Sequence, residues 1–101
     1  PRSKAGSSNV RVPATFVVRS GSKLTPPVIT VPAFLAVQFT VASGDGHTHS
    51  VVLKTPVLHT LAVPAHGHAS LRIPGLRAGQ YQIEVDGSLG GSLVIGGEPG
   101  P

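Results

Sequence analysis

Gly44 to Leu53 reads GDGHTHSVVL. A short loop of glycine and aspartate hands two histidines, His47 and His49, to an apolar run of Val51, Val52 and Leu53. Gly and Asp supply the backbone freedom and local hydrogen bonds of a tight turn, and β-branched residues favour strands. A turn, two imidazoles and a strand are thus joined within ten residues.

Towards the N-terminus, Leu35 to Val41 alternates Leu, Val, Phe and Val against Ala, Gln and Thr, the period of a half-buried strand. Val28 to Val31 is a shorter strand, broken by Pro32-Ala33-Phe34. Leu24-Thr25-Pro26-Pro27 is an extended segment, because a residue before proline is pushed towards β geometry. Ser20 to Lys23 is a turn, and Val10 to Val18 is a strand that Pro13 marks as bent or at an edge. Towards the C-terminus, Lys54-Thr55-Pro56 ends the His49 strand, Val57 to Val63 holds His59, and Pro64 to His68 (PAHGH) is a turn. Ala69 to Ile73 is a strand, and Pro74 to Gly79 a connection. Tyr81, Ile83 and Val85 share one face of the next strand, with Glu84 and Asp86 on the solvated face. Gly87 to Gly91 is a turn and Ser92 to Ile95 a last strand.

No segment longer than one turn has helical periodicity, and ten prolines and 13 glycines are spread as punctuation. Seven to eight short strands in 101 residues predict an all-β, Greek-key β-sandwich. The expected organisation is a flexible lead at 1–9, one domain at 10–96 and a Gly/Pro tail at 97–101. With no Cys, Met or Trp, and only Phe16, Phe34, Phe39 and Tyr81 aromatic, the core must come mainly from Val, Leu, Ile and Ala.

The lack of Cys removes disulfides, thiolate ligands and thiol nucleophiles together. The net charge of +4 is scattered from Arg2 to Arg77 without a basic run, and no aromatic platform accompanies it, which argues against nucleic-acid binding. No apolar stretch approaches the length of a transmembrane span. The polar opening PRSKAGSSN leads us to expect an exported protein, periplasmic or secreted, with its signal removed. No serine sits in a nucleophile elbow, and the expectation is a protein that is not an enzyme.

The order of these pieces resembles the cupredoxin family. LTPPVITVPAFLAVQFTVASGDGHTHSVVL, from Leu24, looks like the first half of such a domain, and IPGLRAGQYQIEVDG looks like its return hairpin. The resemblance spans roughly Leu24 to Ile95. It implies a cupredoxin-like sandwich with His49 at the first metal-ligand position. It also implies departures. The ligand cysteine would fall at Val85, the second histidine at Ser88, and no Met exists to serve as axial ligand. A blue-copper site with its copper–thiolate bond is therefore excluded.

His47-Thr48-His49 and His66-Gly67-His68 are two H-x-H pairs. In extended backbone, residues i and i+2 share a face about 6–7 Å apart, so two imidazoles can converge on one ion. Imidazole suits copper(II), with zinc as second choice. If Tyr81 to Val85 runs towards the metal end of the sandwich, the strand before it, Ala69 to Ile73, is expected antiparallel to it and starts at that end, and the two pairs become neighbours. The expected site is thus a thiolate-free metal cluster of His47, His49, His66 and His68 for binding, storing or transferring the ion. Asp45 is expected to stabilise its turn; the alternatives, from its closeness to His47, are a ligand to the ion or an acceptor that orients an imidazole. His59 stands apart from the four. The rival expectation is a metal-free cupredoxin-like or immunoglobulin-like module that serves as a structural or protein-interaction domain.

Overall fold

The computed structural model describes residues 11–96. The lead expected at 1–9 and the tail at 97–101 lie outside the described residues. Nine strands form two facing sheets: β1 Val12–Arg19, β2 Lys23–Thr25, β3 Val28–Pro32, β4 Val37–Ser43, β5 His49–Lys54, β6 Leu58–Val63, β7 His68–Ile73, β8 Gly79–Val85 and β9 Ser88–Gly96. One sheet has the order β2-β1-β4-β7 and the other β3-β9-β8-β5-β6. Each sheet mixes senses: β1 runs parallel to β4, and β3 parallel to β9.

The period-two runs bury one side each. Ala14, Phe16 and Val18 from β1 and Val37, Phe39 and Val41 from β4 face Val51 and Leu53 from β5, Ile83 and Val85 from β8, and Leu93 and Ile95 from β9. Phe16 and Phe39 meet edge to face with ring centroids 5.8 Å apart, the arrangement that aromatic quadrupoles favour. Tyr81 packs at the core margin and donates its hydroxyl to the Arg77 carbonyl at 2.8 Å, which ties β8 to the connection before it.

Three expectations are refined. Among the described residues the strands number nine, because Lys23–Thr25 pairs with β1 and buries Leu24, where the proline-rich sequence signalled only an extended segment. The segment expected to be a turn at Gly87 to Gly91 belongs mostly to β9. The true turn is Asp86-Gly87, both at positive φ as a type I′ hairpin requires, and Val85 pairs directly with Ser88. The register then shifts at Ile83/Glu84 through a β-bulge. Finally, β7 and β8 lie in different sheets, and β7 pairs with β4. The turn before β7 still reaches the His49 end of the sandwich, because β4 finishes there and its Ala42 pairs with His68.

Candidate functional site

Residues 44–48 leave β4 and enter β5 at one pole of the sandwich. Gly44 fits tightly: its N–H donates to the Val18 carbonyl at 2.8 Å, and a Cβ there would lie 2.5 Å from Val17 Cγ1. Asp45 then closes a local turn, its Oδ1 accepting from the His47 N–H at 3.1 Å. Ser43 Oγ donates to the His47 carbonyl at 2.7 Å and lies 3.2 Å from the same carboxylate oxygen.

His49 is the first residue of β5, and its imidazole turns inward between two carboxylates. Nε2 lies 2.8 Å from Asp45 Oδ1, and Nδ1 lies 2.6 Å from Asp86 Oδ2. Side-chain exposure falls from 41% at Asp86 to 15% at Asp45 and 6% at His49, so the ring is enclosed. Asp86 is fixed in turn: its N–H donates to the Ser50 carbonyl at 2.7 Å, and its Oδ1 accepts from the Ser50 N–H at 2.8 Å. One imidazole therefore joins the 44–48 loop to the β8–β9 hairpin. A ring that donates from both nitrogens is an imidazolium.

The electrostatics follow from this geometry. The hydrogen bond to Asp45, and then that to Asp86, raises the His49 pKa above the ordinary histidine value, against the opposing effect of burial. Chiefly through its bond to His49, the Asp45 carboxyl is lowered to about 2. Asp86 is lowered for the same leading reason, with help from the Ser50 N–H. The charged forms sustain one another.

The other predicted site residues are placed differently. His47 is exposed in the loop, and His66 and His68 are exposed at the 64–67 turn and the start of β7. The two loops do meet: the Ser43 N–H donates to the Gly67 carbonyl at 3.0 Å, and His66 Cε1 lies 3.6 Å from where a Gly46 Cβ would sit. His59 pairs with Leu53 at the far end of β6, away from the rest. Among the described residues, no three His, Cys, Asp or Glu side chains are grouped to hold a metal ion. Val85, where the ligand cysteine would stand, is fully buried in the core.

A shallow depression of about 580 Å³ opens beside His49, between Ser50, Ala62, Pro64 and Asp86. Asp86 is the functional residue that the sequence reading missed. Alternation assigned it to the solvated strand face, whereas β8 ends at Val85 and the turn swings the carboxylate back towards β5. The Asp-Gly pair between two strand-like runs was the available signal, since that dipeptide marks two-residue hairpins.

No protein-family model matches the sequence, and no curated protein matches it. Solved structures match its fold. Auracyanin B aligns with a TM-score of 0.69 and 13% identity over 83% of this chain and 88% of its own. A copper binding protein solved by NMR in its apo form aligns with 0.68 and 12% identity over 83% and 86%. Amicyanin from Paracoccus versutus aligns with 0.60 and 16% identity over 85% and 81%.

Proposed function

The domain has the cupredoxin fold without any cysteine, and we propose that it works as a metal-free structural or protein-interaction module. One observation carries this reading: both ring nitrogens of His49, the histidine at the first ligand position of the resemblance, are engaged by carboxylates. A metal needs a bare imidazole nitrogen, so binding at His49 must first break one of these bonds and expel a proton. The blue-copper group does not fit the residues present. Its thiolate position is the buried Val85, and no Met is available. The same geometry supports a non-catalytic role, because His49 has no free nitrogen with which to activate a nucleophile or water.

The Asp45–His49–Asp86 bridge replaces with ions the crosslink that a bound metal would make between the loop and the hairpin. It holds the pole rigid enough to present the exposed side chains around it, and a protein partner at that pole is part of the proposal. We keep the expectation of a periplasmic or secreted protein. Among the described residues, no helix is long and apolar enough to cross a membrane.

A second reading has one observation in its favour. His66 packs over the loop that carries His47, with His68 two residues further on, so a thiolate-free site for copper(II), or less favourably zinc, would draw on these exposed imidazoles. Copper(II) titration of the metal-free chain, followed by electron paramagnetic resonance, separates the readings. The module reading expects weak, non-stoichiometric binding that His49→Ala leaves unreduced. One tightly bound equivalent with nitrogen hyperfine structure overturns it, in favour of the four-histidine site if His49→Ala weakens the binding and of a site on His47, His66 and His68 if it does not.

A further inference from the structure

The pole opposite His49 carries a second feature. There β3 passes to β4, β5 to β6, and β7 to β8, so residues 33–36, 55–57 and 74–78 share one end of the sandwich. Phe34 stands at its tip, 74% exposed, while Phe16 and Phe39 are wholly buried. Leu35, Val57 and Leu58 are exposed at the same end. Phe34 also has φ +66°, a region that bulky side chains avoid. Two contacts secure it there. Its N–H donates to the Leu76 carbonyl at 2.8 Å, and Gly75 passes so close that a Cβ would lie 2.5 Å from the Phe34 carbonyl. The fold thus holds an aromatic ring outward in a disfavoured conformation, which points to a use for the exposed ring.

Net charge differs between the poles: Arg19 and Lys23 lie at the His49 end together with Asp45 and Asp86, whereas three arginines lie at this end. Arg11 precedes β1 at this end, Arg72 lies next to the end of β7, and Arg77 lies in the following connection; all three are exposed. Among the described residues the acidic side chains are elsewhere or engaged. Asp45 and Asp86 hold His49 at the other pole, and Glu84 pairs with Lys54 at 2.9 Å. Among the described residues, the apolar tips are therefore flanked by three arginines that pair with no carboxylate.

We propose that this pole docks onto an anionic lipid surface, with Phe34, Leu35, Val57 and Leu58 entering the headgroup layer while Arg11, Arg72 and Arg77 meet lipid phosphates. Separate apolar tips on a convex end suit a fluid interface, which admits each of them without a matching concave partner. The arginine flank selects a negative surface, and its attraction adds to apolar burial.

The test is vesicle co-sedimentation of the full chain at low salt, using phosphatidylcholine alone and phosphatidylcholine mixed with phosphatidylglycerol. Binding to the mixed vesicles only, reduced by added salt, is expected. Phe34→Asn removes the ring but keeps a residue that accepts positive φ. It should melt no lower than the parent chain and bind roughly tenfold more weakly. Arg72→Gln and Arg77→Gln should each cost roughly fivefold. Leu58→Ser, at a position 63% exposed, serves as a second apolar variant and should also weaken binding. Absence of binding to the mixed vesicles overturns the proposal. So does binding that the arginine changes abolish and both apolar changes leave intact, and so does capture of an acidic protein by this pole without vesicle binding.

Discussion

Replacing His49 by alanine is the perturbation that bears most directly on the bridge between the 44–48 loop and the β8–β9 hairpin. It removes two charge-assisted hydrogen bonds, at 2.6 and 2.8 Å, and leaves Asp45 and Asp86 facing each other with no cation between them. Each such bond contributes more than a neutral one, but the Asp86 carboxylate is 41% exposed and recovers solvation when its partner is lost. The expected destabilisation is on the order of 2–3 kcal/mol after that discount. In a domain of this size it corresponds to a melting point lower by about 10–20 °C. The pH dependence identifies the cause. The His49 pKa is raised in the folded state, so its contribution is complete below the ordinary histidine value of about 6.5 and is lost as pH climbs through the raised value. The carboxylates are lowered, so theirs is complete above about 4 and is lost as pH falls through the depressed values, about 2 for Asp45. The difference in melting temperature between parent and His49→Ala should therefore peak between about pH 4 and 6.5 and shrink on either side. Thermal melts by circular dichroism in the presence of a chelator read this directly. A difference of only a degree or two, or one that is flat across pH, would refute the ionic bridge.

Other outcomes follow from particular contacts. Gly44→Ala places a methyl 2.5 Å from Val17 Cγ1 and 2.9 Å from the Val18 carbonyl, and should cost about 1–3 kcal/mol in denaturant unfolding. Asp86→Asn keeps the turn and the Ser50 N–H bond but removes one negative charge from His49, so the histidine should titrate at a lower pH than in the parent, read by NMR. Phe39→Ala empties a wholly buried ring position against Phe16 and should cost about 3–5 kcal/mol, enough to threaten folding at ambient temperature.

The sandwich was legible in the sequence because its strands alternate cleanly. Phe39 and Val41, or Ile83 and Val85, announce their buried face by spacing alone. β2 was not legible as a strand: it has three residues and one buried side chain, Leu24, and its existence depends on pairing with β1. The site was half legible. Asp45 lay close enough in sequence to be considered as an acceptor for an imidazole, and it is one. Asp86 came from 37 residues away, through a turn that breaks the strand's alternation. The convergence expected of each H-x-H pair required both histidines in extended backbone. His47 lies in the loop before β5 and His66 in the turn before β7, so neither pair lies wholly within a strand and the same-face rule does not apply to them. Which way a histidine faces across such a junction depends on the acids that fold up against it, and local spacing carries no record of them.

The most direct test is a long-range proton–nitrogen NMR titration of the five histidines in the metal-free chain. The account predicts that His49 has both ring nitrogens protonated at neutral pH, with slowly exchanging N–H signals, and loses a proton only above the range in which an ordinary histidine titrates. A His49 ring that carries one bare nitrogen at neutral pH and titrates as a solvated histidine does would contradict it.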